Sequence, residues 1–258
     1  MVDRQKRVLF KKYAADYTYD QMVTDEKVFK TVGDPLTDIA IAGGSGLFIS
    51  YGQSNSGESK PYCNFSISAV QRLLRNNDLS HFVFFMALQG NSCTDLLSTQ
   101  AKHAMEESKN GSTKISEVIE NRINSIEQFK KMFEKVLRKR SIEKHQKSTL
   151  ICRIRIRDDD QTDDGYMFLV SLPYPDQSSS NISQSSQLGA PEKMKQSCLV
   201  LKECLIGRAR TSANPDQTYN IPYKHTKLTK LFGEVLNIES SRQSRVVLHG
   251  DISYSDKI

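Results

Sequence analysis

The run Gly46-Leu47-Phe48-Ile49-Ser50-Tyr51-Gly52-Gln53-Ser54-Asn55-Ser56-Gly57-Glu58-Ser59 decides how the chain is read. Its first half is short and apolar, the pattern of a strand buried on both faces. Its second half is small and polar, and a helix is expected to follow. A strand, a glycine loop and a helix in this order form the frame of a phosphate-binding loop, GxxxxG followed by Lys and then Ser or Thr. The candidate nucleotide-binding residues are Gly52, Gln53, Ser54, Asn55, Ser56, Gly57, Glu58 and Ser59. The glycines let backbone N–H groups converge on phosphate oxygens. Ser59 is the one candidate metal ligand, and only toward the Mg²⁺ of a bound nucleotide. A plain small-residue turn is the competing reading of the same residues.

Glu58 breaks the frame, because it stands where the lysine belongs. A lysine there sets an ammonium between the outer phosphates; a carboxylate sets like charge beside like charge. At ~4 Å and an effective dielectric of about 20, one unit pair is worth roughly 4 kcal/mol, so exchanging attraction for repulsion costs up to ~8 kcal/mol before screening. A fourfold discount for solvent still removes more than about a decade of affinity.

Outward from this run, helix and strand patterns alternate. Asp25 to Val32 begins a short amphipathic helix with Thr24 or Asp25 as its cap, and Leu36 to Ala42 continues helical after Pro35. Phe82 to Leu88 reads as a buried strand, and Lys102 to Thr113 as a polar loop. Glu117 to Arg140 is helical over its second half, with Lys130, Lys131, Lys135, Arg138, Lys139 and Arg140 outward. That cationic face is a docking patch or a solvated surface. Ser148 to Arg157 alternates into a strand with one basic face and forms a hairpin with Tyr166 to Leu172 across an acidic turn. Arg7 to Phe10 and Tyr17 to Tyr19 have strand-like content. Helices are expected at Met194 to Ile206 and Lys227 to Leu236, and a last strand at Arg245 to His249. The serine-rich stretch 178–187 reads as a flexible loop. The expected fold is α/β, one domain spanning 1–258.

Composition narrows the class. The chain has 258 residues, 38% hydrophobic, with a formal net charge of +6. The longest apolar run, Phe82 to Leu88, is far short of the roughly 20 residues that span a bilayer. No signal peptide opens the chain, so no membrane partner is expected. The modest positive charge favours acidic partners without requiring nucleic acid, and none is expected. The five cysteines include no CxxC pair, which fits a reducing, cytoplasmic setting with small buried thiols. The five histidines form no ligand or nucleophile pattern.

Six blocks of sequence resemble kinesin motor domains. Tyr17-Thr18-Tyr19-Asp20-Gln21-Met22-Val23 is similar to the family's aromatic-x-Phe-Asp-x-Val-Phe segment. Two blocks, Lys27-Val28-Phe29 through Val32 and Asp34-Pro35-Leu36, resemble the helix after it. Gly46 to Gln53 is similar to the run leading into the family's phosphate loop, and Thr94-Asp95-Leu96-Leu97 to its Tyr-Asp-Leu-Leu. Ile221-Pro222-Tyr223-Lys224-His225-Thr226-Lys227-Leu228-Thr229-Lys230-Leu231-Phe232 closely resembles Val-Pro-Tyr-Arg-(Asp/Asn)-Ser-Lys-Leu-Thr-x-Leu-(Leu/Phe). The Gly-Leu-Phe run and a long loop expected at Gly207–Asn220 resemble the kinesin-6, mitotic kinesin-like branch. The resemblance implies a P-loop NTPase fold, a central mixed sheet flanked by helices. It also implies a fold trimmed at both ends, since the family's Arg-x-Arg-Pro strand and its last helix and neck have no recognisable counterparts.

The resemblance also marks departures. Where the family's first switch reads Ser-Ser-Arg-Ser-His, this chain has His145-Gln146-Lys147-Ser148-Thr149. Where the second reads Asp-Leu-Ala-Gly-Ser-Glu, it has Ser171-Leu172-Pro173-Tyr174-Pro175-Asp176. Ser171 lacks the carboxylate of the Mg²⁺ side. Tyr174 replaces the glycine that meets the γ-phosphate, and Pro173 and Pro175 stiffen a loop that must move. Lys147 and Asp176 are placed to keep a vestigial ion pair. No catalytic residue is expected, and Lys147, Ser148, Ser171, Tyr174 and Asp176 are the degenerate switch positions.

The filament-binding part is better kept. Lys193 to Leu201 resembles the second-switch helix, and the resemblance assigns microtubule contacts to Lys195, Lys202, Arg208, Arg210, Lys224, Lys227 and Lys230. The leading expectation is a microtubule-binding domain, on cytoplasmic microtubules or the spindle, with little or no ATPase activity and no required cofactor. It acts as tether, regulator or silent partner of an active kinesin. The alternatives are an ATP-dependent motor that uses Mg-ATP despite Glu58, and a truncated paralogue without function.

Overall fold

A computed structural model describes residues 14–52, 59–90, 92–98, 105–107, 113–115, 119–142, 148–158, 160, 163–173, 190–217, 219–238, 240 and 242–251. The elements in chain order are α1 (Asp25–Val28), a π-helical turn (Phe29–Gly33), α2 (Asp34–Ile41), β1 (Ser45–Gly52), α3 (Ser59–Leu73), β2 (Ser80–Gln89) and β3 (Ser92–Asp95). Then come β4 (Met105–Glu107), β5 (Thr113–Ile115), β6 (Asn121–Ile123), α4 (Ile126–Ile142), β7 (Thr149–Arg157) and β8 (Gly165–Ser171). The last are α5 (Ala190–Ala213), α6 (Lys227–Leu231), α7 (Gly233–Leu236) and β9 (Ser244–Asp251).

A seven-stranded mixed sheet runs β3-β2-β7-β8-β1-β9, with β6 sharing the outer edge of β2. β1 lies between β8 and β9 and is parallel to both. Both neighbours come much later in the chain, as parallel pairing requires long crossovers. β7 is antiparallel to β2 and to β8, so the expected hairpin forms. The α/β expectation of a central mixed sheet between helices holds.

Strand alternation sorts the core into two layers. Phe48, Val83, Phe85, Leu150, Cys152, Ile154 and Leu169 face α2, α3 and α4, whose Leu36, Tyr62, Phe65, Phe129 and Phe133 close that side. Leu47, Ile49, Phe84, Met86, Ile151 and Val170 face α5 to α7, whose Leu201, Cys204, Leu228 and Val235 close the other. Continuous apolar runs such as Phe82 to Leu88 follow from this, since both faces of the inner strands are covered. Phe85, Phe129 and Phe133 form an aromatic cluster with centroids 5.4–5.9 Å apart, within the range of favourable ring pairs. At the start of β8, a side chain on Gly165 would overlap the carbonyl oxygen of Ala40, so glycine lets the strand meet the end of α2.

Several local expectations hold and others are corrected. Thr24 caps α1, its hydroxyl accepting from the Lys27 N–H at 3.3 Å. Within Lys102 to Thr113, read as loop, β4 begins a small antiparallel pair with β5. Tyr17 to Tyr19 is not a strand. Residues Gly207 to Ala213, expected in a long loop, are the last turns of α5. Lys139 and Arg140 turn inward instead of outward. Lys139 Nζ donates to the Ser98 carbonyl at 2.9 Å, and the Arg140 guanidinium to that of Ser148 at 3.0 Å. The basic face of β7 is also covered: Glu120 bridges Arg153 at 2.9 Å and Arg155 at 2.6 Å, and Asp164 reaches Arg155 at 3.0 Å. Arg155 stacks 4.3 Å from the Phe82 ring centroid. Burial opposes its charge, but the hydrogen bonds and charges of Glu120 and Asp164 outweigh that and raise its pKa. Arg7 to Phe10 and the serine-rich 178–187 lie outside the described residues.

Candidate functional site

The site begins where β1 and β8 end. Because they are parallel, the segments leaving Gly52 and Ser171 emerge at one end of the sheet. Ser50 and Ser171 are in register, and the Leu172 N–H donates to the Ser50 carbonyl at 2.9 Å. β7 is antiparallel to β8, so its start arrives at this same end, with Leu150 opposite Ser171 and Ser148 just before the strand. Thus Ser148 and Ser171, described positions of the two segments that resemble switches, come to the same end of the sheet as the end of β1. Ser50, Ser148 and Ser171 are all buried, and the Ser50 hydroxyl has no hydrogen-bond partner among the described residues.

α3 opens beside them at Ser59, and its first turn is fixed to β8 by the Tyr62 hydroxyl, which donates to the Leu169 carbonyl at 3.3 Å. Burial pushes the Tyr62 phenol well above its ordinary pKa, so it stays a neutral donor. Gly52 ends β1, and Ser59 starts α3 as the motif frame requires. Gln53, Ser54, Asn55, Ser56, Gly57 and Glu58 lie outside the described residues, as do Lys147, Tyr174 and Asp176.

A Mg-nucleotide is the group this frame would hold. The described side chains at the ends of β1 and β8 are hydroxyls, and Ser171 brings no charge. Asp95 is buried on β3, but its Oδ1 is occupied by the Leu97 and Ser98 N–H groups at 2.7 and 3.1 Å. The residues that would contact its phosphates, Gln53 to Glu58, lie outside the described residues, and no step is derived through a nucleotide. Among the described residues, no group of three or more His, Cys, Asp or Glu is placed to hold a metal.

The second part of the site is the cationic face. Successive residues of α5 turn by about 100°, which puts Lys195, Lys202 and Arg210 on one outward stripe. Lys202 and Arg210 are exposed and Lys195 is half-buried. Arg208 falls on the opposite face and is a correction to the expected contact set. Its guanidinium donates to the Val235 carbonyl at 2.6 Å and to the Ser244 carbonyl and hydroxyl at 2.9 and 3.1 Å. It therefore ties α5 to α7 and β9, and burial lowers its pKa.

Lys224 is exposed, with its Nζ 5.8 Å from the Tyr223 ring centroid. Thr226 then caps α6 in a reciprocal box with Thr229. Lys227 and Lys230 on α6 are half-buried. Burial pushes the Cys93 thiol on β3 up to about 11, while the charge of Lys227 pulls it back.

Residues 2–249 match the kinesin motor domain as a family. The chain belongs to that family. Kinesin motor domains bind microtubules and associate with the cytoskeleton. A solved structure of a fast kinesin, concerned with its ATPase mechanism and interactions with microtubules, matches at a TM-score of 0.72 and 18% identity. The match covers 93% of this chain and 73% of that chain. At that identity it speaks to the fold alone, and the fold of this chain is that of a kinesin motor domain. Sequence reasoning found the glycine frame and the α5 and α6 helices. It missed that Arg208 turns inward, although the helical spacing from Lys195, Lys202 and Arg210 carried that signal.

Proposed function

We propose that this kinesin domain binds microtubules with little or no ATP turnover, as a tether, regulator or silent partner of an active kinesin in the cytoplasm or on the spindle. The observation that carries this is Ser171. It sits in register with Ser50 at the end of the strand beside the glycine loop, where magnesium-dependent phosphate chemistry calls for a carboxylate. Glu58, in the lysine position of the loop, supports the same reading from the sequence. The exposed cations Lys202, Arg210 and Lys224 suit an acidic filament and act through screened attraction.

Co-sedimentation of the 258-residue chain with microtubules, with and without Mg-ATP, tests the proposal. Pelleting that is insensitive to nucleotide is expected. Release by ATP would show a working motor site and overturn the proposal. Absence of pelleting in both conditions would leave the truncated, non-functional paralogue as the reading.

A further inference from the structure

We infer that α5 docks on its filament through two apolar side chains, Leu199 and Ile206, set among its cations, so that part of the affinity resists salt. The inference rests on the microtubule-binding reading above and names what that surface does. Lys195, Leu199, Lys202, Ile206 and Arg210 follow one another at helical spacing within about 80° of arc and over about 22 Å of helix. The stripe alternates cation, apolar, cation, apolar, cation. Leu199 is 61% exposed and Ile206 is 41% exposed.

The fold does not require them there. α5 fills the core from its other side, with Met194, Leu201 and Cys204 buried and Arg208 clamped. Tyr17, Met22, Ile119, Leu199, Ile206 and Leu248 are the large apolar side chains most exposed among the described residues, and two of them stand two turns apart on this stripe. A recess of about 490 Å³ opens next to Ile206, lined also by the carboxylate of Glu203 and by Gly207, Arg210, Tyr219, Asn220 and Pro222. Gly207 lets the following segment pack close to α5 beside the recess, since a Cβ there would lie 3.2 Å from Ile221. The charge balance chooses the occupant: Lys195, Lys202 and Arg210 flank both apolar residues against the single carboxylate of Glu203, and the exposed Lys224 lies two residues after Pro222 of the lining. An acidic protein surface that also offers an apolar side chain fits this pattern, and the microtubule wall is the acidic surface that this family binds.

The two kinds of contact separate by salt. Screening weakens the exposed ion pairs as ionic strength rises, while apolar burial is not screened. The experiment is microtubule co-sedimentation of the 258-residue chain at low and at high potassium chloride, comparing wild type with Leu199→Ser/Ile206→Ser and with Leu199→Met/Ile206→Leu. The serine variant is expected to bind about 5- to 30-fold more weakly at high salt, with a smaller loss at low salt. The Met/Leu variant should behave as wild type. Because both positions are exposed, the thermal melt should not change.

Equal high-salt binding by wild type and the serine variant overturns this inference and leaves the microtubule reading standing. Failure of wild type to pellet even at low salt overturns that reading and this inference with it. A dimer in analytical ultracentrifugation that the serine variant abolishes would assign the stripe to a second copy of the chain, and would overturn the filament assignment.

Discussion

The strand ends at Ser50 and Ser171 and the outer stripe of α5 follow opposite rules. The strand ends are buried, and what they can do depends on individual atoms at fixed places. A hydroxyl in place of a carboxylate removes a charge, and a carboxylate in place of an ammonium reverses the sign of the charge facing a phosphate. The α5 stripe is exposed, and its attraction needs only cations facing the right way. Several groups must cooperate in phosphate chemistry, so few substitutions end it. Screened attraction is spread over many side chains and declines gradually. A kinesin domain can therefore lose turnover while it keeps its filament surface.

The largest effect should come from reversing the stripe. Lys195→Glu/Lys202→Glu/Arg210→Glu replaces three attractions by three repulsions, and should weaken microtubule binding about 10- to 100-fold at low ionic strength. The loss should shrink as salt rises, read by co-sedimentation across a salt series. A variant that binds as well as wild type would show that the stripe is not the docking face.

Arg208 sharpens the contrast between outward and inward cations on one helix. Arg208→Ala removes the guanidinium donor from the carbonyls of Val235 and Ser244, leaving the Val235 carbonyl with the Ser244 hydroxyl at 3.3 Å. It should cost about 1–3 kcal/mol of stability, read by chemical denaturation, and leave microtubule affinity unchanged at temperatures where the protein is folded. A loss of affinity without loss of stability would return Arg208 to the contact set.

His81 tests the buried side of the comparison away from either site. It is 3% exposed, its Nε2 has no hydrogen-bond partner among the described residues, and burial lowers its pKa. The unfolded chain takes up a proton near pH 6.5 while folded His81 remains neutral. Stability is therefore full above pH 6.5 and declines as pH falls below it, with a slope of at most about 1.4 kcal/mol per pH unit for this group. Melts of wild type and His81→Phe between pH 7.5 and 5 should differ in slope. Parallel curves would mean that His81 protonates as easily folded as unfolded.

Legibility in the sequence followed periodicity. β1, β2, β7 and β8 were readable because their runs are apolar and their neighbours are turn-formers. The continuous apolar run Phe82 to Leu88 marked a buried strand, and the structure sorts its residues into two layers. What failed to show was the fate of charge. The alternation of β7 showed one basic face but not its partner, Glu120, more than thirty positions upstream in the chain, which pairs with Arg153 and Arg155. Lys139 and Arg140 looked outward until the carbonyls of Ser98 and Ser148 arrived beside them. These partners are distant in sequence, so composition and local pattern do not reveal them. At the site, motif order brought Gly52, Ser59 and Ser171 onto the page, but only the parallel pairing of β1 with β8 put Ser171 beside Ser50.

That pairing gives the smallest effect and the sharpest test of the comparison. Restoring the loop lysine alone, Glu58→Lys, should leave ATP hydrolysis in the presence of microtubules at the background of the wild-type chain. The charge of one ammonium improves phosphate affinity, which Coulomb attraction near the surface allows. Affinity is not turnover, however: an interaction equal in ground and transition states leaves the chemical step as slow as before. Ser171 still presents a neutral hydroxyl at the strand end, and Tyr174 still stands at the position that the resemblance assigns to a glycine. Binding of a fluorescent ATP analogue should therefore rise in Glu58→Lys while phosphate release does not. Phosphate release above background in that single variant would mean that the strand ends are competent as they stand, and that one carboxylate had silenced an otherwise working motor.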